Sequence, residues 1–162
     1  MELPVRKQNR LTDYDYSMPN AYFITICTQG RKNLFWSNVW AISDRLQDVP
    51  LSEYGKIVDF YIKDISNHYP AISVDSYVIM PNHIHILLQI HTDHNGRSMI
   101  APTISRVVRL LKGTVSKKIG FPIWQKGFYD HVIRSDTDYL ETWNYIEGNP
   151  SKWREDKLYN SD

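Results

Sequence analysis

The sequence predicts a single α+β domain in which an antiparallel sheet of about four strands carries helices packed on one face. Three observations support this prediction. Segments typical of strands and helices follow one another in the order strand, helix, strand, strand, helix, strand, helix. The two central strands are separated only by the turn at Pro81 and Asn82, which indicates a hairpin. The 162 residues suit one domain with its own core, and we see neither an internal repeat nor a linker.

The first half of the chain predicts two strands with a helix between them. Residues 21–30 are rich in β-branched and aromatic residues, which predicts the first strand. Residues 52–70 predict the first helix, because apolar side chains recur at helical spacing between an N-cap at Ser52 and a stop at Pro70. Residues 71–80 predict the second strand.

The second half of the chain predicts two more strands and two more helices. Residues 83–90 predict the third strand, and residues 91–102 read as a loop. Residues 103–120 have the apolar spacing of an amphipathic helix. Residues 128–134 predict the fourth strand, and residues 135–148 predict a last helix that opens on a serine cap.

The composition narrows the class of protein. The chain lacks the apolar run of about 18 residues that crosses a bilayer, and its N-terminal residues are too polar for a signal peptide. Cys27 is the single cysteine, so we expect neither an intramolecular disulfide nor a cysteine-based zinc finger. We therefore expect a soluble cytoplasmic protein without a membrane partner. The net charge of +1 supports nucleic-acid binding only weakly, so such binding would depend on local basic clusters.

His83 and His85 open the third predicted strand with one residue between them. Successive side chains of a strand point to opposite faces, so the two imidazoles share one face while Ile84 and Ile86 point to the other, toward the core. Two parallel imidazoles could hold one divalent metal ion. Taken alone the pattern is weak, because two histidines at the surface or in ordinary hydrogen bonds explain it equally well.

The last predicted helix carries a tyrosine on its polar face. Tyr139, Trp143 and Ile146 form an apolar stripe, while Tyr145 and Asn149 lie four residues apart on a different face. The Tyr145 ring could pack at the helix edge with its hydroxyl in water. Alternatively, the hydroxyl is a nucleophile, with Asn149 as an oxygen ligand for a metal. The residues alone leave both interpretations open.

Three stretches together resemble the single-tyrosine HUH transposases, and within them the branch of REP-associated tyrosine transposases. They are "MPNHIH", "WQKGFYDHVIRSDTDYLETWNYIEGNPSKW" and the opening "RLTDYDYSMPNAYFITICTQGRKNLF". They occur in the right order, and the resemblance runs from about Arg6 to Trp153. It implies the ferredoxin-like, RRM-like HUH transposase fold as one domain over residues 1–162. Residues 1–20 would be an arm that contacts DNA, and residues 150–162 a C-terminal tail with a short extra turn.

The resemblance also implies roles for four residues. His83 and His85 match the two metal-binding histidines of the HUH motif, Tyr145 matches the nucleophilic tyrosine, and Asn149 matches the third metal ligand. The metal would be Mg²⁺ or Mn²⁺, acting as Lewis acid and template at the scissile phosphate. Attack by Tyr145 would give a 5′-phosphotyrosine link and a free 3′-hydroxyl, so strand transfer would need no ATP.

The implied substrate is single-stranded DNA that carries a hairpin, bound by a monomer or a homodimer associated with the nucleoid. Basic residues and one histidine are expected to contact this DNA: Arg6, Arg10, Arg31, Lys32, Arg106, Lys112, His131 and Arg134. Several aromatic residues could stack on bases or belong to the core: Tyr14, Tyr16, Phe35, Trp36 and Trp124.

Other interpretations stay open at this point. A metal-dependent nuclease would use activated water as its nucleophile, and Tyr145 would then have only a structural role. A domesticated module would bind single-stranded DNA with little turnover, and an RNA-binding module on the same kind of sheet would not need the histidine pair. Tyr129, in the fourth predicted strand, is a rival nucleophile, although its simplest role is packing. Leu87 shares the histidine face, which indicates cover by the Tyr145 helix of the same chain or by a partner.

Overall fold

The computed structural model describes residues 20–39, 49–91 and 103–161. Its strands and helices are β1 (Ala21–Cys27), α1 (Glu53–His68), β2 (Ile72–Ile79), β3 (His83–Ile90), α2 (Ile104–Ile119), β4 (Tyr129–Val132) and α3 (Asp136–Gly148). Two 3₁₀ segments, Gln29–Arg31 and Pro150–Glu155, follow β1 and α3. The strands form one antiparallel sheet in the order β2-β3-β1-β4. The predicted α+β class and the predicted order of elements are confirmed.

The ends of the elements follow local chemistry. β1 stops at Cys27 rather than at Gly30, because the chain turns into a 3₁₀ segment in which Gly30 has a φ of 65°. Ser52 caps α1 by accepting a hydrogen bond from the backbone N–H of Gly55 at 3.1 Å, as the sequence predicts. Ser135 caps α3 in the same way through the N–H of Asp138.

One face of the sheet forms the core with α1 and α2. Ile24 lies opposite Ile86, and Ile26 lies opposite Ile84, and all four side chains are buried. Burial of each such side chain stabilises the fold by about 1.5–3 kcal/mol. Tyr77 lies opposite Ile86 on this face and donates a hydrogen bond from its hydroxyl to Asp59 of α1 at 2.6 Å.

The third helix lies on the opposite face, which differs from the prediction that the helices pack on one face. The ring centroid of Tyr145 in α3 lies 6.0 Å from that of Phe23 and 5.3 Å from that of His85, both on the histidine face. The Tyr139 hydroxyl also donates to Asp75 at 2.8 Å. The physical reason is that this face carries apolar Leu87, which is fully buried and needs cover. The Tyr145 helix of the same chain supplies that cover.

The apolar stripe predicted for α3 is only partly buried. Ile146 is buried, whereas Tyr139 and Trp143 are half-buried and pack at the edge of the core. Thr142 and Asn149 are buried on the same helix. Among the residues that the structure describes, no helix combines the length and the apolar character needed to cross a membrane.

Replacing Gly55 by alanine should lower the free energy of unfolding by about 1–3 kcal/mol, because a Cβ there would collide with the backbone carbonyl oxygen of Phe35. Gly113 in α2 is the matched control. Nothing lies within 4 Å of a Cβ built there, so Gly113→Ala should raise the free energy of unfolding by about 0.5–1 kcal/mol through helix propensity. Urea denaturation measures both, and equal stability of the two variants would contradict the close packing at the start of α1.

Candidate active site

The candidate site lies at the start of β3, where His83 and His85 point into one buried space. Their Nε2 atoms lie 3.1 Å apart, and the side chains are 0% and 3% exposed. Each ring uses its other nitrogen in a hydrogen bond. His83 Nδ1 lies 2.7 Å from Asn82 Oδ1, and His85 Nδ1 lies 2.7 Å from Thr25 Oγ1. Such partners orient the rings of metal-binding histidines.

Both imidazoles are held in the neutral form. Burial lowers the pKa of His83 well below its usual value, and the neighbouring His85 and Arg31 lower it further. Burial lowers the pKa of His85 to about 3. A metal ion binds the neutral form of imidazole, so both buried rings can act as ligands at neutral pH.

Asp156, in the C-terminal segment (residues 150–161), is a site residue that the sequence analysis missed. Its Oδ2 lies 3.7 Å from His83 Nε2, and its side chain is 4% exposed. One donor atom from each of His83, His85 and Asp156 lies within 4.8 Å of the others. Burial raises the pKa of the Asp156 carboxyl, while a hydrogen bond from the backbone N–H of Leu158 lowers it. No spacing signal connects residue 156 to the histidines.

Packing of the C-terminal segment brings Asp156 to the histidines. Trp153 is buried, and its ring centroid lies 6.1 Å from that of His83 and 6.5 Å from that of Trp36. Tyr159 packs against Trp153 at 5.1 Å. The aromatic contacts therefore anchor this segment beside the start of β3, and the carboxylate of Asp156 follows.

Tyr145 lies beside this cluster with its side chain 51% exposed. Its ring meets those of His85 and Phe23 edge to face. Burial raises the pKa of the Tyr145 phenol, and the charge of Asp156 raises it further, whereas a hydrogen bond with Asn149 lowers it. The sequence leaves two roles open for this tyrosine, and the structure places its ring at the histidine pair.

Asn149 is buried at the end of α3, one turn beyond Tyr145. Both residues line a cleft of about 180 Å³, together with Asp156 and Lys152. The structure thus brings the four predicted site residues and Asp156 to one region, where both Asn149 and Asp156 offer oxygen atoms.

The predicted DNA contacts do not form one surface. Arg106 is exposed on α2, on the other side of the sheet from the histidines. The ammonium of Lys112 donates hydrogen bonds to the carbonyl oxygens of Gln125 at 2.7 Å and Gly127 at 2.6 Å, and burial lowers its pKa. This geometry gives Lys112 a structural role in holding the loop before β4.

The remaining predicted contacts are divided between two places. Arg31 and Lys32 are exposed after β1. His131 and Arg134 are exposed at β4 and after it, where Asp138 accepts a hydrogen bond from His131 Nε2 at 2.9 Å and another from the Arg134 backbone N–H at 3.0 Å.

Several other predictions fall inside the core or outside the described residues. Phe35 and Trp36 belong to the core, and Trp124 packs against it. Tyr129 is 53% exposed on β4, opposite Thr25 of the histidine face. Four residues lie outside the described residues: Arg6, Arg10, Tyr14 and Tyr16. Of the predicted arm, the structure describes residue 20 alone.

Comparison with known proteins finds relatives of this chain in sequence. No family model matches the chain. A Haemophilus influenzae protein described as uncharacterized is 30% identical over 173 residues, which cover 95% of this chain and 93% of the relative. A second Haemophilus influenzae protein, provisionally named a REP-associated tyrosine transposase, is 29% identical over 146 residues, with coverage of 85% and 74%.

A solved structure shares the fold. It is described as a REP-associated tyrosine transposase bound to a REP hairpin, and it matches with a TM-score of 0.62 at 22% identity, over 88% of this chain and 74% of that one. The chain is thus similar in sequence to a protein of the REP-associated tyrosine transposase type, and it shares the fold of a solved one.

In the absence of metal, the free energy of unfolding should fall as the pH drops from about 6.5 toward 3. The folded state keeps His83 and His85 neutral, and the unfolded chain takes up protons on both. Above about pH 6.5 neither ring is protonated in either state, so they add no pH dependence. His85→Gln should make the fall shallower by about 1.4 kcal/mol per pH unit. Urea denaturation in the presence of a chelator measures this slope, and an unchanged slope would count against the buried neutral ring.

Proposed function

We propose that this protein is a metal-dependent single-stranded DNA endonuclease and strand transferase. It would cut and rejoin hairpin-bearing strands through a 5′-phosphotyrosine intermediate, as a transposase does. The observation that carries the proposal is the position of Tyr145, whose ring centroid lies 5.3 Å from that of His85 at the edge of the His83, His85 and Asp156 cluster. The exposed half of this side chain leaves the phenol accessible to a DNA strand.

The donor set of the cluster fits a divalent metal ion. The Nε2 atoms of two neutral imidazoles face each other at 3.1 Å, and a buried carboxylate lies 3.7 Å from one of them. Mixed nitrogen and oxygen ligands suit Mn²⁺ or Mg²⁺, and imidazole also accepts Zn²⁺. A bound ion would supply Lewis-acid polarisation of the scissile phosphate.

Two residues compete for the third ligand position beside His83 and His85. Asn149 follows Tyr145 by one helical turn and is the ligand that the family resemblance implies. Asp156 is the residue whose carboxylate lies within reach of His83 Nε2. A carboxylate brings a negative charge that an amide lacks, so Asp156 is the stronger ligand for a divalent ion. We therefore propose Asp156 as the third ligand, with Asn149 as the alternative that the resemblance implies.

The reaction proposed for Tyr145 exchanges one phosphate ester bond for another. A phenol is protonated at neutral pH, and burial raises the pKa of Tyr145 further, so the proton leaves to water as the oxygen attacks phosphorus. A bond forms between the Tyr145 oxygen and phosphorus while the bond from phosphorus to the 3′ oxygen breaks. The 3′ oxygen takes up a proton and becomes a free hydroxyl. That hydroxyl, or another, can then attack the phosphotyrosine: it loses its proton, the bond from phosphorus to the Tyr145 oxygen breaks, and the phenol regains a proton. The strand is rejoined without a further energy source.

The substrate proposed for this site is single-stranded DNA that carries a hairpin. The related solved structure contains a REP hairpin, and we extend hairpin-bearing single-stranded DNA to this chain. Lys152 and Lys157 line the cleft beside Tyr145, where they could contact phosphates. A single domain over residues 1–162, a DNA-contacting arm at residues 1–20 and an association with the nucleoid all belong to this proposal.

Tyr145→Phe should lower formation of a covalent protein–DNA adduct by about 10³-fold or more, because the nucleophilic oxygen is lost. Tyr129→Phe is the matched control, since it removes another exposed phenol from the same face of the sheet and should leave the adduct intact. The assay uses labelled single-stranded hairpin DNA from the flanks of the gene, Mn²⁺ and a denaturing gel.

The other outcomes of this assay separate the alternatives. Cleavage without an adduct, unchanged by Tyr145→Phe, would show a nuclease that uses activated water. DNA binding with neither cleavage nor adduct would support a binding module with little turnover.

Asp156→Ala should weaken Mn²⁺ binding to the DNA-free protein by about 100-fold or more, because a charged ligand is removed from the cluster. Glu155→Ala is the matched control, since it removes the same charge from an exposed neighbour. Isothermal titration calorimetry measures both affinities. A larger loss in Asn149→Ala than in Asp156→Ala would instead make Asn149 the third ligand.

A further inference from the structure

The side chain of Asn82, in the turn between β2 and β3, is fully buried and bonded at both ends of its amide. Its Nδ2 donates hydrogen bonds to the carbonyl oxygens of Leu158 at 2.7 Å and Arg31 at 3.3 Å. Carbonyl oxygens only accept, so the nitrogen of the amide must face them. The oxygen, Oδ1, therefore faces His83 Nδ1 at 2.7 Å.

The orientation of this amide determines the tautomer of His83. An amide oxygen cannot donate, so the hydrogen bond exists only if His83 Nδ1 carries the proton. A neutral imidazole has one N–H, and the neutral form suits this ring because its side chain is fully buried. His83 Nε2 is then left with its lone pair directed at the cluster. This is the tautomer that a metal ligand needs.

His85 lacks such a constraint, because its Nδ1 partner is a hydroxyl. Thr25 Oγ1, at 2.7 Å, can donate to Nδ1 or accept from it. His83 Nε2 has a lone pair and lies 3.1 Å from His85 Nε2, so without a cation the stable arrangement places a proton on His85 Nε2. That proton bridges the two rings, and Thr25 donates to His85 Nδ1.

We infer, on the basis of the metal site proposed above, that Asn82 is a positioning residue that fixes His83 as a ready ligand, while His85 changes its tautomer when the site is filled. The Nε2 proton of His85 is released to water, and Nδ1 takes up a proton from water in exchange. The Thr25 hydroxyl keeps its own proton and turns from donor to acceptor. The net protonation of the ring does not change. Filling the site therefore requires rearrangement at one ligand only.

The experiment is nitrogen NMR of the full-length protein with ¹⁵N-labelled histidine, first without metal and then with Zn²⁺, which is diamagnetic. Without metal we expect the Nδ1–H tautomer for His83 and the Nε2–H tautomer for His85. With Zn²⁺ we expect Nδ1–H for both rings. An Nε2–H tautomer of His83 in the metal-free protein, or no change of His85 on Zn²⁺ binding, would overturn the inference.

Variants test whether Asn82 acts through His83 or only through the fold. Asn82→Leu should lower the affinity for Mn²⁺ by about 10–100-fold and let His83 populate both tautomers. Asn33→Ala is the matched control, because Asn33 Nδ2 also holds the C-terminal segment, by donating a hydrogen bond to the Asn160 carbonyl oxygen at 2.9 Å. It should keep the wild-type affinity.

A further variant separates the two ends of the Asn82 amide. Asn82→Asp keeps an acceptor for His83 Nδ1 and loses both donors, so it should keep the His83 tautomer. Equal losses of Mn²⁺ affinity in Asn82→Leu and Asn33→Ala would reduce Asn82 to a structural role. The wild-type protein could show the expected metal-free tautomers and yet bind neither Zn²⁺ nor Mn²⁺. That result would refute the metal site of the proposed function and the tautomer change at His85. The tautomer assigned to His83 would still stand.

Discussion

The alternation of side chains along β3 is the constraint on which the rest of the structure depends. β3 is an internal strand, hydrogen-bonded to β1 on one side and to β2 on the other. Its side chains point alternately to the two faces of the sheet. Ile84 and Ile86 occupy one face and His83 and His85 the other. A shift of one residue in the pairing would place both imidazoles in the apolar core and expel the isoleucines. The core and the site therefore specify the same register.

Burial of two imidazoles is unfavourable unless each polar nitrogen finds a partner. Asn82 and Thr25 satisfy one nitrogen of each ring, and the second nitrogens face each other beside Asp156. The same amide of Asn82 holds the C-terminal segment through Leu158. The turn, the sheet and the end of the chain thus meet at one hydrogen-bonded group. Removal of a single partner would leave a buried polar atom unsatisfied.

The electrostatics of the site follow from burial rather than from net charge. The imidazoles are neutral because desolvation disfavours their charged forms, and desolvation also raises the pKa of the Tyr145 phenol. Asp156 supplies the negative charge of the cluster. A divalent cation would offset that charge and, in the proposed reaction, favour the deprotonated phenol. The site would therefore change its electrostatic character when it is filled.

Local patterns in the sequence determined the strands, the helices, their caps and the common face of His83 and His85, because these depend on residues within one or two turns of each other. They also indicated, through Leu87, that this face would be covered. Only the tertiary structure decided that α3 supplies the cover, that Lys112 holds a loop, and that Asp156 reaches His83. Periodicity carries no information about which distant segments meet. Asp156 reaches the site through the burial of Trp153 against Trp36 and His83, and such packing arises only when the whole chain has folded.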